Sequence, residues 1–230
     1  MEPLRKYELL PVSTDESNII TTFLEDVKCD GAQDIFNVNS MHIHKMKDMT
    51  SVGECDKKSN NLMLMHGTSS ENALEILNSG FMNSSAGLFG KGVYHTESVD
   101  VALHYSNRRN ESYYRSDKYI TTNCIFLNEV VAPNLQVTKF DGLYQHSRSD
   151  VSNMFHKHMY KKSPETTAND YRCDAMSRKY RCTRIATTSL ADEYVADASF
   201  VKPRYYIELN TLVDGTKYME FQWFLKNRFI

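Results

Sequence analysis

Glycine and proline are scarce in this chain, nine and five residues among 230. With so few breakers, and with 41% hydrophobic and 24% charged residues, the composition excludes a disordered or low-complexity polypeptide and reads as globular. Cysteine is scarce too. The five (Cys29, Cys55, Cys124, Cys173, Cys182) are odd in number and widely spaced, with no CxxC pair, which fits free thiols in a reducing compartment better than a disulfide framework. Neither sign of charge is in excess: 27 Lys plus Arg against 29 Asp plus Glu leave −2, so there is no net pull toward nucleic acid or an acidic membrane. Long hydrophobic runs are missing, none approaching the roughly 20 residues of a membrane helix. Glu2, Arg5, Lys6 and Glu8 interrupt the N-terminus before a signal peptide can develop. The expected setting is nuclear or cytoplasmic, not secreted, and no membrane partner is implied.

What is present is patterned. Ser13-Thr14-Asp15 supplies capping groups for a helix carrying Ile19, Ile20, Phe23, Leu24 and Val27 at helical spacing. Ile35 to Val38 is a short strand, and residues 48–61 are a polar loop. Leu62 to Met65 is an apolar run of strand length ending at His66. Thr68-Ser69-Ser70-Glu71 then has capping-box form, Ala73, Leu74, Ile76 and Leu77 give an apolar stripe, and Gly80 stops the helix. A strand end, Gly67 and a row of free helix N–H groups therefore meet, a good setting for an anionic or polar ligand.

Asn83 to Gly92 carries three glycines and no periodicity, so it is a loop lying over or beside something. Val93-Tyr94 is a short strand. Thr96 or Ser98 caps a second helix with the stripe Val99, Ala102, Leu103, and Tyr105 lies about half a turn beyond Leu103, off that stripe and toward a pocket. Tyr119–Val131 and Arg204–Leu209 are rich in β-branched and aromatic residues and read as sheet strands. No second domain boundary is visible, and the expected architecture is a single α+β domain with a mostly antiparallel sheet.

Three blocks in order, His66-Gly67-Thr68, Gly87-Leu88-Phe89-Gly90-Lys91-Gly92-Val93-Tyr94 and Thr188-Ser189-Leu190-Ala191-Asp192-Glu193-Tyr194-Val195, preceded by Tyr7-Glu8-Leu9-Leu10-Pro11-Val12, resemble the catalytic domain of the poly(ADP-ribose) polymerase (PARP) type of diphtheria-toxin-like ADP-ribosyltransferase. The resemblance covers nearly all of residues 1–230 and is weakest over 143–187. It implies one ADP-ribosyltransferase-like domain, a split β-sheet flanked by short helices, without a separate regulatory or DNA-binding domain. It implies NAD as substrate and a protein acceptor as partner, and a catalytic set of His66, Tyr94 and Glu193. On the same resemblance Gly67 holds the nicotinamide carboxamide through its backbone, and Tyr94 and Tyr105 flank the ring. His66 and Thr68 meet the adenosine ribose, and Glu193 the 2′-hydroxyl of the nicotinamide ribose. No metal is required.

The chain departs from the family pattern at three places. Ala102 stands where a serine usually binds the carboxamide, Met82 where an arginine often lies near the adenosine, and the donor loop, about Met82 to Leu88, is short. Asp192 competes with Glu193 for the acidic position, with TSLADEY favouring Glu193. These departures favour single ADP-ribose transfer over polymer synthesis, and leave a catalytically weak NAD- or ADP-ribose-binding or scaffolding domain as the reading from another class.

Taken singly, the same residues have plainer readings: His66 as a satisfied strand-end histidine, Tyr94 and Tyr105 as core aromatics, Glu193 as a solvated carboxylate before a strand. The pairs His42/His44 and His156/His158, the latter with Cys173 and Cys182, match no standard metal-ligand spacing. The basic run from Lys157 to Arg184, broken by tyrosines, reads first as a solvated face. Beyond that it fits contact with the acceptor, and nucleic acid is its weakest reading.

Overall fold

The computed structural model describes residues 6–26, 35–48, 61–84, 91–107, 117–131, 136–139, 182–186 and 193–227. In chain order the elements are β1 (Tyr7–Pro11), α1 (Thr14–Asp26), β2 (Phe36–Asp48), β3 (Asn61–Thr68), α2 (Ser70–Ser79), β4 (Val93–Thr96), α3 (Val99–Asn107), β5 (Lys118–Val131), β6 (Gln136–Lys139), β7 (Cys182–Ala186), β8 (Glu193–Ala196), a 3-10 turn (Ala198–Phe200), β9 (Val201–Asp214) and α4 (Gly215–Asn227). The strands join in one sheet ordered β1-β2-β9-β5-β3-β4-β8-β7-β6. Only the β6–β7 pairing is parallel. The class is α+β with a mostly antiparallel sheet, as expected.

Local chemistry sets the helix ends. Ser13 caps α1, its Oγ accepting from Glu16 N at 3.2 Å. In α2 the cap is Ser69, whose Oγ accepts from Asn72 N at 3.4 Å. The capping-box reading begins one residue too early, because Thr68 is still held in β3 opposite Cys124. Gly80 ends α2 with φ +87, a conformation that side chains oppose, and its N–H closes on the Ile76 carbonyl. Both candidate caps of α3 are used: Thr96 Oγ1 accepts from Ser98 N, and Ser98 Oγ from Val101 N.

The sheet buries both faces. Met65, Ile125, Leu127, Ile207 and Leu209 pack on one side against Ile20 and Leu24 of α1, Val99, Ala102 and Leu103 of α3, and Tyr218 and Phe221 of α4. The residues alternating with them, Cys124, Phe126 and Tyr206, point to the other face and meet Ala73 and Leu77 of α2. The apolar stripe of α2 is narrower than its sequence suggests: Leu74 is 57% exposed. Ile76 turns toward a cavity.

One pairing is nearly absent. β3 and β4 share a single register position, Met65 with Thr96. From there β3 continues to Thr68 on β5 alone, while β4 pairs along its whole length with β8. The sheet is split between them, and the functional site lies at the split.

Candidate active site

Where β3 and β4 part, a cavity of about 450 Å³ opens, within the usual range for small-molecule sites. Its lining includes His66, Gly67 and Thr68 of β3, Asn72, Glu75 and Ile76 of α2, and Phe81 and Met82 beyond the helix. Gly92, Val93 and Tyr94 line it beside β4, and Tyr105 lines it from α3. A smaller, almost wholly apolar pocket of about 60 Å³ shares His66, Gly67, Tyr94 and Tyr105 with it and adds Met65, His95 and Thr96. Of the expected site residues, His66, Gly67, Thr68, Tyr94 and Tyr105 thus come together around one space.

His66 spans the split. Its Nδ1 lies 2.7 Å from the Tyr94 carbonyl oxygen. A carbonyl only accepts, so Nδ1 carries the proton and donates. Burial holds the imidazole below its ordinary pKa, and the bond to Tyr94 opposes that shift without overcoming it. The neutral ring therefore offers Nε2 as a hydrogen-bond acceptor of fixed polarity. Phe81 packs edge-on against the ring, with centroids 5.1 Å apart.

Gly67 is required by packing. A Cβ placed on it would lie 2.5 Å from the carbonyl carbon and 2.9 Å from the Cα of Ala102, and closer still to the carbonyl oxygen. The missing side chain lets the backbone of α3 rest directly on β3. Next to it, the Ser106 hydroxyl donates to the Thr68 carbonyl at 2.7 Å and accepts from Cys124 N at 2.8 Å. That buried hydroxyl ties the end of β3, the start of the Thr68–Cys124 register and α3 into one unit.

Ala102 is fully buried in the core behind Gly67 and lines neither pocket. It meets the site only through its backbone. Glu193 is located by strand register: it pairs with Thr96 as Val195 pairs with Tyr94. Residues two apart on one strand share a face, and directly paired residues do too, so positions 94 and 193 lie on the same face of the β4–β8 ladder. Asp192 lies outside the described residues, as do the loop residues 85–90, donor-loop residues 85–88 among them, the pair His156/His158 and the basic run as far as Arg181. The loop's ends are pinned by Ser84 N donating to the Gly92 carbonyl at 3.0 Å, with Gly92 at φ +149, where glycine is favoured.

Among the described residues, no group of three or more His, Cys, Asp or Glu is arranged to hold a metal ion. His44 instead stacks on Tyr206.

Sequence reasoning missed His95, Phe81, Asn72 and Glu75. His95 is buried beside His66, with ring centroids 5.9 Å apart. Its Nδ1 donates to the Val93 carbonyl at 3.0 Å, its Nε2 has no partner among the described residues, and burial followed by the neighbouring His66 pushes its pKa down to about 3. Strand alternation sets His95 on the face opposite Tyr94 and so gave no available signal. For Asn72, Glu75 and Ile76 the signal was their i, i+3, i+4 spacing on α2.

The family model of the poly(ADP-ribose) polymerase catalytic domain matches residues 16–211. The chain belongs to the PARP catalytic domain family. No curated protein matches it. PARP domains take NAD as substrate and modify protein acceptors, and the matched span contains the whole cleft, from β3 through β8. No helix among the described residues of this PARP domain is long and apolar enough to cross a membrane.

Proposed function

We propose that this PARP domain transfers single ADP-ribose units from NAD to a protein acceptor and releases nicotinamide. The observation that carries the proposal is the split between β3 and β4, where Gly67, Tyr94 and Tyr105 surround one space and His66 presents an acceptor with its tautomer set by Tyr94.

In this reading nicotinamide sits at the Gly67 end, its carboxamide on the glycine backbone and its ring between Tyr94 and Tyr105. His66 Nε2 accepts from a hydroxyl of the adenosine ribose. Glu193 accepts from the 2′-hydroxyl of the nicotinamide ribose. An acceptor oxygen attacks the anomeric carbon as the glycosidic bond breaks, and the bonding pair leaves with the ring nitrogen, so cationic NAD releases neutral nicotinamide. The sugar passes through an oxocarbenium-like state that the Glu193 carboxylate stabilises, and the acceptor's proton passes to that carboxylate or to water. Register parity between Glu193 and Tyr94 supports this role.

The pinned, short donor loop and Ala102 favour one unit over a chain. The proposed setting is nucleus or cytosol, consistent with Cys124 as a free, buried thiol. A binding-only domain is the second reading, favoured by Ala102, whose side chain offers no hydrogen bond to the carboxamide. Incubation with NAD labelled on the adenylate, followed by denaturing electrophoresis, separates these. One discrete labelled band is expected; a ladder of lengthening products contradicts single transfer, and bound but unconsumed NAD contradicts transfer.

A further inference from the structure

The wall that α2 presents to the cavity has an unusual charge. Among the described residues that line the cavity, Glu75 is the only one with a formal charge, and none is a lysine or arginine. NAD carries a pyrophosphate, so a cation would be the ordinary complement. Resting on the NAD reading above, we infer that Glu75 is a specificity residue that receives the hydroxyls of the adenosine ribose and rejects a phosphate ester there, making the site selective for NAD over NADP.

The helix explains why Glu75 is available. Ala73 and Leu77 face the core, and Asn72, Glu75 and Ile76, at i, i+3 and i+4, share the opposite side and line the cavity. Glu75 is exposed, so its carboxylate is not engaged in holding the core together.

Polarity identifies the ligand. Among the described lining side chains two groups can only accept: the Glu75 carboxylate, and His66 Nε2, whose ring proton is committed to Tyr94. The hydroxyls and amide around them (Thr68, Ser69, Asn72, Ser84) are neutral and serve in either sense. Two fixed acceptors call for a ligand that brings two donors. A vicinal diol has them, and a ribose with both hydroxyls free is such a diol. A 2′-phosphate removes one donor and adds about two negative charges opposite a carboxylate, with no lysine or arginine among the described lining residues to offset them. The same chemistry sets a carboxylate on the adenosine ribose in dinucleotide folds of unrelated architecture.

The test is calorimetric titration of the full chain, wild type, Glu75→Gln and Glu75→Arg, with NAD and NADP at two salt concentrations. Wild type is expected to bind NAD at least tenfold tighter than NADP. Glu75→Gln, isosteric and neutral, should narrow that ratio at least threefold, chiefly by improving NADP. Glu75→Arg should narrow it further or reverse it, more strongly at low salt. A ratio unchanged in both variants while NAD still binds overturns this inference and leaves the NAD reading standing. Failure of wild type to bind NAD at all overturns both.

Discussion

Replacing Gly67 with alanine tests how the site is built. The added Cβ would face the backbone of Ala102 at 2.5 Å from its carbonyl carbon and 2.9 Å from its Cα. Carbon atoms in contact sit roughly 3.5–4.0 Å apart and the carbonyl oxygen is closer still, so strand and helix must separate by at least about 1 Å. No rotamer change relieves this, since the obstructing atoms are main chain. Neither partner yields easily: Gly67 pairs with Ile125 on β5, and Ala102 N–H is bonded to the Ser98 carbonyl inside α3. Overpacking a core by a side-chain carbon costs about 1–3 kcal/mol, and a rigid backbone obstacle puts Gly67→Ala at the upper end, about 3 kcal/mol. For a domain of this size that is a fall of roughly 6–12 °C in Tm. The same shift moves Gly67 and Tyr105 relative to one another, and a misplacement of about 1 Å costs on the order of 100-fold in a positioned reaction. Urea and thermal unfolding give the first quantity, and NAD titration with nicotinamide release gives the second. A Gly67→Ala protein within about 1 kcal/mol of wild type, binding NAD equally well, would refute the claim that α3 rests on the glycine.

Ser106→Ala should cost about 2–4 kcal/mol by urea unfolding, since it leaves the Thr68 carbonyl and Cys124 N–H without that partner in a buried setting. A loss under 1 kcal/mol contradicts the bridging role. The buried histidines give a pH dependence. Both have folded-state pKa values lowered from 6.5, that of His95 to about 3. Below pH 6.5 the unfolded chain therefore takes up more protons. The stability is complete above pH 6.5 and is lost as pH falls toward 3. The urea midpoint should fall between pH 7 and 5, and less steeply in His95→Phe. Equal slopes in the two proteins contradict the assignment.

Features carried by local spacing were legible in the sequence: Ser13 and Gly80 at helix ends, the β5 run, and the helical stripe of α3. His66, Gly67, Thr68 and Tyr94 were legible from the motif blocks and Tyr105 from its place on α3, and the five do meet around one cavity. What the sequence hid depends on pairing at a distance. β2 runs through the polar alternation around His42 and Lys45 because β1 and β9 flank it on both sides, which no local window records. The split exists because β3 follows β5 and β4 follows β8. Thr68 reads as a helix cap on its own and becomes a strand residue only through Cys124 and Ser106. Ala102 was expected to meet the carboxamide; it lies in the core behind Gly67 and lines neither pocket, since α3 presses its backbone against Gly67. Glu75 was invisible while Leu74 and Ile76 were counted as core; with Ala73 and Leu77 as the buried face, Leu74 is left 57% exposed and Glu75 lines the cavity.

The most direct test of the central claim is nicotinamide release from NAD by wild type, Glu193→Gln and Asp192→Asn, with NAD affinity measured alongside. The account predicts release by wild type and by Asp192→Asn, and a loss of about 100-fold or more in Glu193→Gln with NAD still bound, the range for removing a group that stabilises developing charge. No release by wild type, or release by Glu193→Gln at the wild-type rate, would contradict it.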